Sequence, residues 1–149
     1  MDTGLNLVIL LAMVIWIGSI VFFSFIVAPI LFRVLSPADA GKVVRAVFPR
    51  YYLVGIVCGL MALSSFISLA LWHVGWSQIM TVQLGLLGIM VVINLYARQS
   101  LTPRINAARD AGDTEKDRFD RLHRQSVILN GVVLLLGLAV LFLIAQGMA

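Results

Sequence analysis

No charged residue stands between Thr3 and Phe32, and a chain that opens on such a run has few ways to fold. Its 29 uncharged positions from Gly4 to Phe32, most of them apolar, are too many to hide in the core of a 149-residue soluble domain. About 20 apolar residues at ~1.5 Å rise each do match the hydrocarbon thickness of a bilayer. Three more runs meet that requirement, at about 51–72, 79–97 and 127–145, and the first span falls within 5–32. Backbone polar groups must be satisfied internally in lipid, which leaves helices or closed barrels. Runs this long and uniform are not barrel strands. The expectation is an all-α, four-helix transmembrane bundle forming one integral membrane domain over 1–149.

Composition agrees, with 61% hydrophobic and 12% charged residues, against roughly half apolar and about a quarter charged in soluble domains. The opening Met1-Asp2-Thr3-Gly4 lacks the positive leading segment of a cleaved signal, so the first run is expected to remain as a span. Its length as a straight helix, ~43 Å, exceeds a ~30 Å core. It must tilt, project, or bend near Pro29, which cannot donate a helix hydrogen bond.

Orientation follows from the placement of Lys and Arg. All eleven lie in the first loop (Arg33 to Arg50) or the third (Arg98 to Arg124), and none in the second loop or at either terminus. The positive-inside rule therefore puts both large loops in the cytoplasm and both termini outside, in the cell inner (plasma) membrane. The same placement turns a net charge of +4 away from nucleic acid and toward anionic headgroups of the lipid bilayer. Trp72 and Trp76 at the outer turn, and Tyr51 and Tyr52 beside Arg50, are suited to anchor the interfaces.

Both large loops read as helical. Ser36-Pro37-Ala38-Asp39 has a capping serine, a proline at the first helical position and an early acid. It predicts a short interfacial helix after span one, ended by Pro49. In the third loop Pro103 interrupts the third helix, Asp110-Ala111-Gly112-Asp113 supplies a turn, and Thr114 opens a capping-box pattern. That predicts a helical extension between spans three and four.

The spans hold no acid or base at mid-depth, and intramembrane polar residues are where function is sought. Asn94 and Arg98 share one helix face, as do His123, Ser126 and Asn130. If spans three and four are neighbours, the two amides sit at similar depth, with Arg98 and His123 above them. These five residues form a candidate polar site opening to the cytoplasm, or else ordinary interhelical hydrogen bonding. Gly55 and Gly59 make a G-x-x-x-G pair for close helix contact, within the bundle or between subunits. Cys58, the single cysteine, can form no intrachain disulfide. There is no nucleophile–base pair, phosphate loop or metal-spaced cluster, so no enzyme activity, metal site or cofactor is expected.

Two stretches resemble a known family. One runs from Trp16-Ile17-Gly18 through Ser24 and Ala28-Pro29 to Leu31-Phe32. The other is Ile105-Asn106-Ala107-Ala108-Arg109, followed by Leu122-His123-Arg124-Gln125-Ser126 and Asn130. Together they resemble the transmembrane-protein-205-like family of four-helix proteins, marked here by Trp16, Gly18, Pro29 and Asn106. That family carries no assigned activity, although a eukaryotic member is associated with resistance to platinum drugs. It is distantly similar to copper-resistance D proteins and to bacterial haem-dependent protoporphyrinogen oxidase. Those relatives bear a histidine in the first span, and residues 7–13 here contain none, so the resemblance implies no haem or copper ligand there. The function expected is binding or transport of a small solute, metal complex or lipid through the cytoplasm-facing site. The alternatives are a structural or assembly subunit of a larger membrane complex or a homo-oligomer, and a haem- or quinone-dependent redox protein.

Overall fold

The computed structural model describes residues 3–148, with side chains through Gly147. Helices α1 (Thr3–Phe22) and α2 (Ala28–Val34) join through a π turn over Phe23–Val27 into a first rod. Helix α3 (Pro37–Leu69) continues through a second π turn, Ala70–Val74. Helix α4 (Gln78–Tyr96), a third π turn at Ala97–Leu101 and α5 (Thr102–Asp110) make the third rod. A 3-10 turn at Gly112–Glu115 leads into α6 (Lys116–Met148). Among the described residues there is no strand.

All four rods are long and apolar enough to cross a membrane, over Thr3–Val34, Pro37–Val74, Gln78–Asp110 and Gly112–Gly147. At ~1.5 Å per residue each outreaches a ~30 Å core, and rods two to four carry every basic residue but Arg33. The rods follow one another around the bundle in chain order, and the seam between α1 and α6 is its loosest. Met13, Trp16, Leu87, Met90, Val133 and Val140 fill the centre at 1% exposure or less. Large apolar side chains such as Phe25, Leu135 and Phe142 point outward, as a lipid-facing surface requires. No charged side chain is buried among the described residues.

Two loop expectations hold and two are corrected. Ser36 caps α3 as expected, its Oγ accepting from the Asp39 N–H at 3.2 Å and donating to the Asp39 carboxylate at 2.8 Å. Gly112, at φ 68°, makes the turn after α5. But Pro49 does not end the interfacial helix: residues 37–48 and span two form one 33-residue helix with Pro49 inside it. A proline removes a single bond, and a helix packed on both sides can absorb that loss. Thr114 does not cap α6 either, because its hydroxyl donates back to the Ala111 carbonyl at 2.8 Å.

Ahead of Pro29 the first rod takes a π turn. The Ala28 N–H bonds Phe23 O, five residues back, and the Thr102 N–H bonds Ala97 O in the same way ahead of Pro103. One extra residue in the turn makes room for the ring that follows. At the other end, Gly75 takes φ 74° and Ser77 caps α4, accepting from the Met80 N–H at 3.1 Å. Loss of the Ser36 cap is expected to cost about 1 kcal/mol. Thermal unfolding in detergent should show Ser36→Ala below the parent and Ser36→Asp close to it.

Candidate functional site

The loose α1–α6 seam opens at the basic end into a lateral cleft of about 340 Å³. The π turn of rod one forms one wall with Phe23, Ser24 and Phe25, and α6 forms the other with His123, Ser126, Val127, Asn130 and Leu134. Phe48 from α3 and Arg109 from α5 close the inner end. A π turn widens a helix locally and exposes side chains that a regular turn would stack, and here it faces the polar stripe of α6.

Several of the polar groups are held by hydrogen bonds or ring contacts. Asn130 Oδ1 accepts from the Tyr51 hydroxyl at 3.4 Å, tying α6 to α3. Ser126 Oγ donates to the His123 carbonyl at 2.7 Å, one turn back on its own helix. Arg109 Nη1 donates to the Gly41 carbonyl at 3.0 Å, and its guanidinium lies 4.9 Å from the centroid of Phe119. His123 stacks on the same ring, at 5.8 Å between centroids and 5° between planes. Gly41 leaves room for this, since a Cβ there would lie 2.7 Å from Arg109 Nη1.

His123 stands one turn outside the apolar run that begins at Val127. Burial lowers its pKa below the ordinary imidazole value, the Arg109 charge adds to this, and Asp120 opposes it. The neutral imidazole is thereby favoured, and Arg109 is the permanent charge lining the cleft. A histidine held neutral costs stability when it must be protonated, because the unfolded chain takes up the proton first. Thermal stability is expected to fall as pH drops from 7 through about 6.5, and His123→Gln should flatten that dependence.

Of the five residues expected to form the site, the structure brings His123, Ser126 and Asn130 together along the cleft. Asn94 and Arg98 do not line it. Asn94 is 3% exposed, its Nδ2 donates to the Met90 carbonyl at 3.0 Å, and its Oδ1 faces Gly55 of α3. Arg98 lies within the π turn of rod three. The cleft therefore lies between the first and last rods, and Asn94 and Arg98 stand apart from it. Helical spacing puts His123, Ser126 and Asn130 on one face, but the rotation of α4 about its axis turns Asn94 toward α3.

Arg109, Tyr51 and Ser24 were not among the expected site residues. Ser24 and Arg109 stood in the motif stretches quoted above, and Tyr51 had been read only as an interface anchor. Of the motif residues, Trp16 is buried at 1% exposure, and Asn106 lines a small recess behind the cleft with Arg109 and His123. Gly18 and Pro29 are exposed. Gly55 and Gly59 serve packing inside the bundle, where the indole of Trp16 lies against both. Among the described residues, no group of three or more His, Cys, Asp or Glu is placed to hold a metal ion.

A family model described as a domain of unknown function (DUF4149) matches residues 11–114, from α1 to the turn before α6. An uncharacterized protein of Aquifex aeolicus (strain VF5) is 35% identical over 129 residues, covering 87% of this chain and 86% of the relative. No solved structure matches the chain.

Proposed function

The chain belongs to that family of unknown function, and from its basic-end cleft we propose a non-enzymatic membrane protein that binds an anionic amphiphile. The observation that carries this reading is the cleft's graded chemistry. Arg109 is fixed at the inner end by Gly41 and Phe119. His123, Ser126 and Asn130 follow, and then the apolar surface of Phe25, Phe32, Val127 and Leu134. A guanidinium has donors left after one bond to a carbonyl, and its planar fork suits a carboxylate or phosphate. The side opening lets an acyl chain remain in hydrocarbon while its headgroup reaches Arg109. The concentration of positive charge supports an orientation with this end in the cytoplasm and both termini outside, in the plasma or inner membrane. The ligand is thus drawn from the inner leaflet.

Photolabelling tests this directly. A diazirine-bearing long-chain fatty acid is cross-linked to the detergent-purified full chain, and the adducts are mapped by mass spectrometry. Adducts should concentrate on residues 20–28 and 123–134, with Asn130→Leu reducing them. Labelling spread evenly over all four rods, or undiminished in folded Asn130→Leu, overturns the reading.

A further inference from the structure

At the end of the bundle remote from the basic loops, rods one and four part a second time. The opening is a cleft of about 530 Å³, bounded by Asn6 and Leu10 of α1, Phe66 of α3, Gln83 of α4 and Leu143 and Ile144 of α6. None of its described lining residues is charged. The two clefts do not merge. Between them Gly137 of α6 is pressed on Ile17 of α1, so closely that a Cβ would lie 3.0 Å from Ile17 Cγ1.

Gln83 is the unusual member. It is 5% exposed, yet its side-chain amide has no hydrogen-bond partner among the described residues, in contrast to Asn94 on the same helix, which bonds its own backbone. No fully enclosed side-chain nitrogen or oxygen lacks a partner among the described residues. The amide of Gln83 therefore keeps some open surface, and Gln83 lines the cleft. It lies five residues beyond the start of α4, ~8 Å along the helix and inside the apolar zone. There a polar group without a partner is costly. Asn6, half-buried on the facing wall, adds a second primary amide. Both amides offer donors and an acceptor, and neither supplies the charge that an ionic headgroup would need.

We propose that this cleft binds an uncharged acyl lipid, whose ester carbonyl or hydroxyl groups hydrogen-bond to Gln83 and Asn6. Its chain lies against Leu10, Leu143 and Ile144 and leaves through the seam. Exposed Leu7 and Leu11 on α1 keep the way out apolar, so lipid rather than bulk water stands at the mouth. The site is independent of the basic-end reading, because it differs in position, charge and ligand chemistry.

A diazirine-bearing monoacylglycerol is photolysed on the purified full-length protein, and its adducts are mapped. They should fall on residues 3–10, 79–84 and 143–147, while the fatty acid of the same chain length labels the other end. Gln83→Leu should lower this labelling about tenfold, the effect expected for losing one well-placed hydrogen bond in an apolar site. Leu143→Trp fills the cleft without touching the amide and should protect the same peptides. Monoacylglycerol adducts scattered along every outward face overturn the proposal, as does undiminished labelling in folded Gln83→Leu. If Gln83→Leu fails to fold, Leu143→Trp decides: protection supports the site, and full labelling refutes it.

Discussion

Gly59→Leu is expected to leave no monodisperse protein after detergent extraction, and Gly55→Ala to fold with stability lowered by about 1–3 kcal/mol, the usual cost of overpacking a core. The indole of Trp16, 1% exposed, lies against both glycines. A Cβ on Gly55 would stand 2.5 Å from Trp16 Nε1 and 2.7 Å from Asn94 Oδ1, and one on Gly59 would stand 2.8 Å from Trp16 Cζ3. Trp16 is a rigid ring enclosed on all sides, so unlike a long flexible side chain it cannot swing away. Lipid gives helices little hydrophobic reason to associate, and close packing at small residues carries much of the association. The loss therefore falls on the contacts of the second rod with both the first, at Trp16, and the third, at Asn94 and Val91. A double-mutant cycle isolates the Trp16 contact: Trp16→Phe removes the indole nitrogen nearest Gly55, so the double variant with Gly55→Ala should lose less than the sum of the singles. Additive losses, read by thermal unfolding in detergent, would count against this contact. A screen that uses Gly55 or Gly59 to look for lost partner proteins would be reading misfolding instead.

The second large effect concerns the charge at the basic-end cleft. Arg109→Ala should reduce fatty-acid photolabelling of residues 123–134 by at least about tenfold, since a charge-assisted hydrogen bond contributes ~1.5–3 kcal/mol. Arg109→Lys should recover only part of it. Lysine keeps the charge but loses the planar fork that bonds Gly41 and stacks on Phe119. Because Arg109 also ties α5 to α3 through the Gly41 carbonyl, each variant is compared at matched folded fraction by size exclusion. Labelling that follows folded fraction alone would make Arg109 purely structural. Labelling of the neutral-end cleft by monoacylglycerol should be unchanged in both, because the Ile17–Gly137 contact separates the two ends. The neighbouring Arg45–Asp110 ion pair is exposed on both sides. It contributes far less, in line with surface pairs generally.

The sequence by itself determined the number of spans, their order and the gathering of all eleven basic residues at one end. Each follows from local quantities: run length against bilayer thickness, and charge against hydrocarbon. Ser36 and Gly112 were legible for the same reason, because a cap and a positive-φ turn depend on a few adjacent residues. What only the tertiary structure decided was rotation and partnership. Asn94 faces Gly55 and Asn130 faces Tyr51, since a small turn of a helix about its axis moves a side chain to a different neighbour. Pro49 reads as a terminator, yet α3 runs through it, because packing along 33 residues outweighs one missing bond. Arg109 looked like one more charge in a basic loop until the fold of α5 laid it over Phe119, beside His123. The seam between the first and last rods joins the two ends of the chain, and no local pattern announces which helices will pack loosely. That choice comes from shape complementarity among all four rods at once, and it placed both clefts.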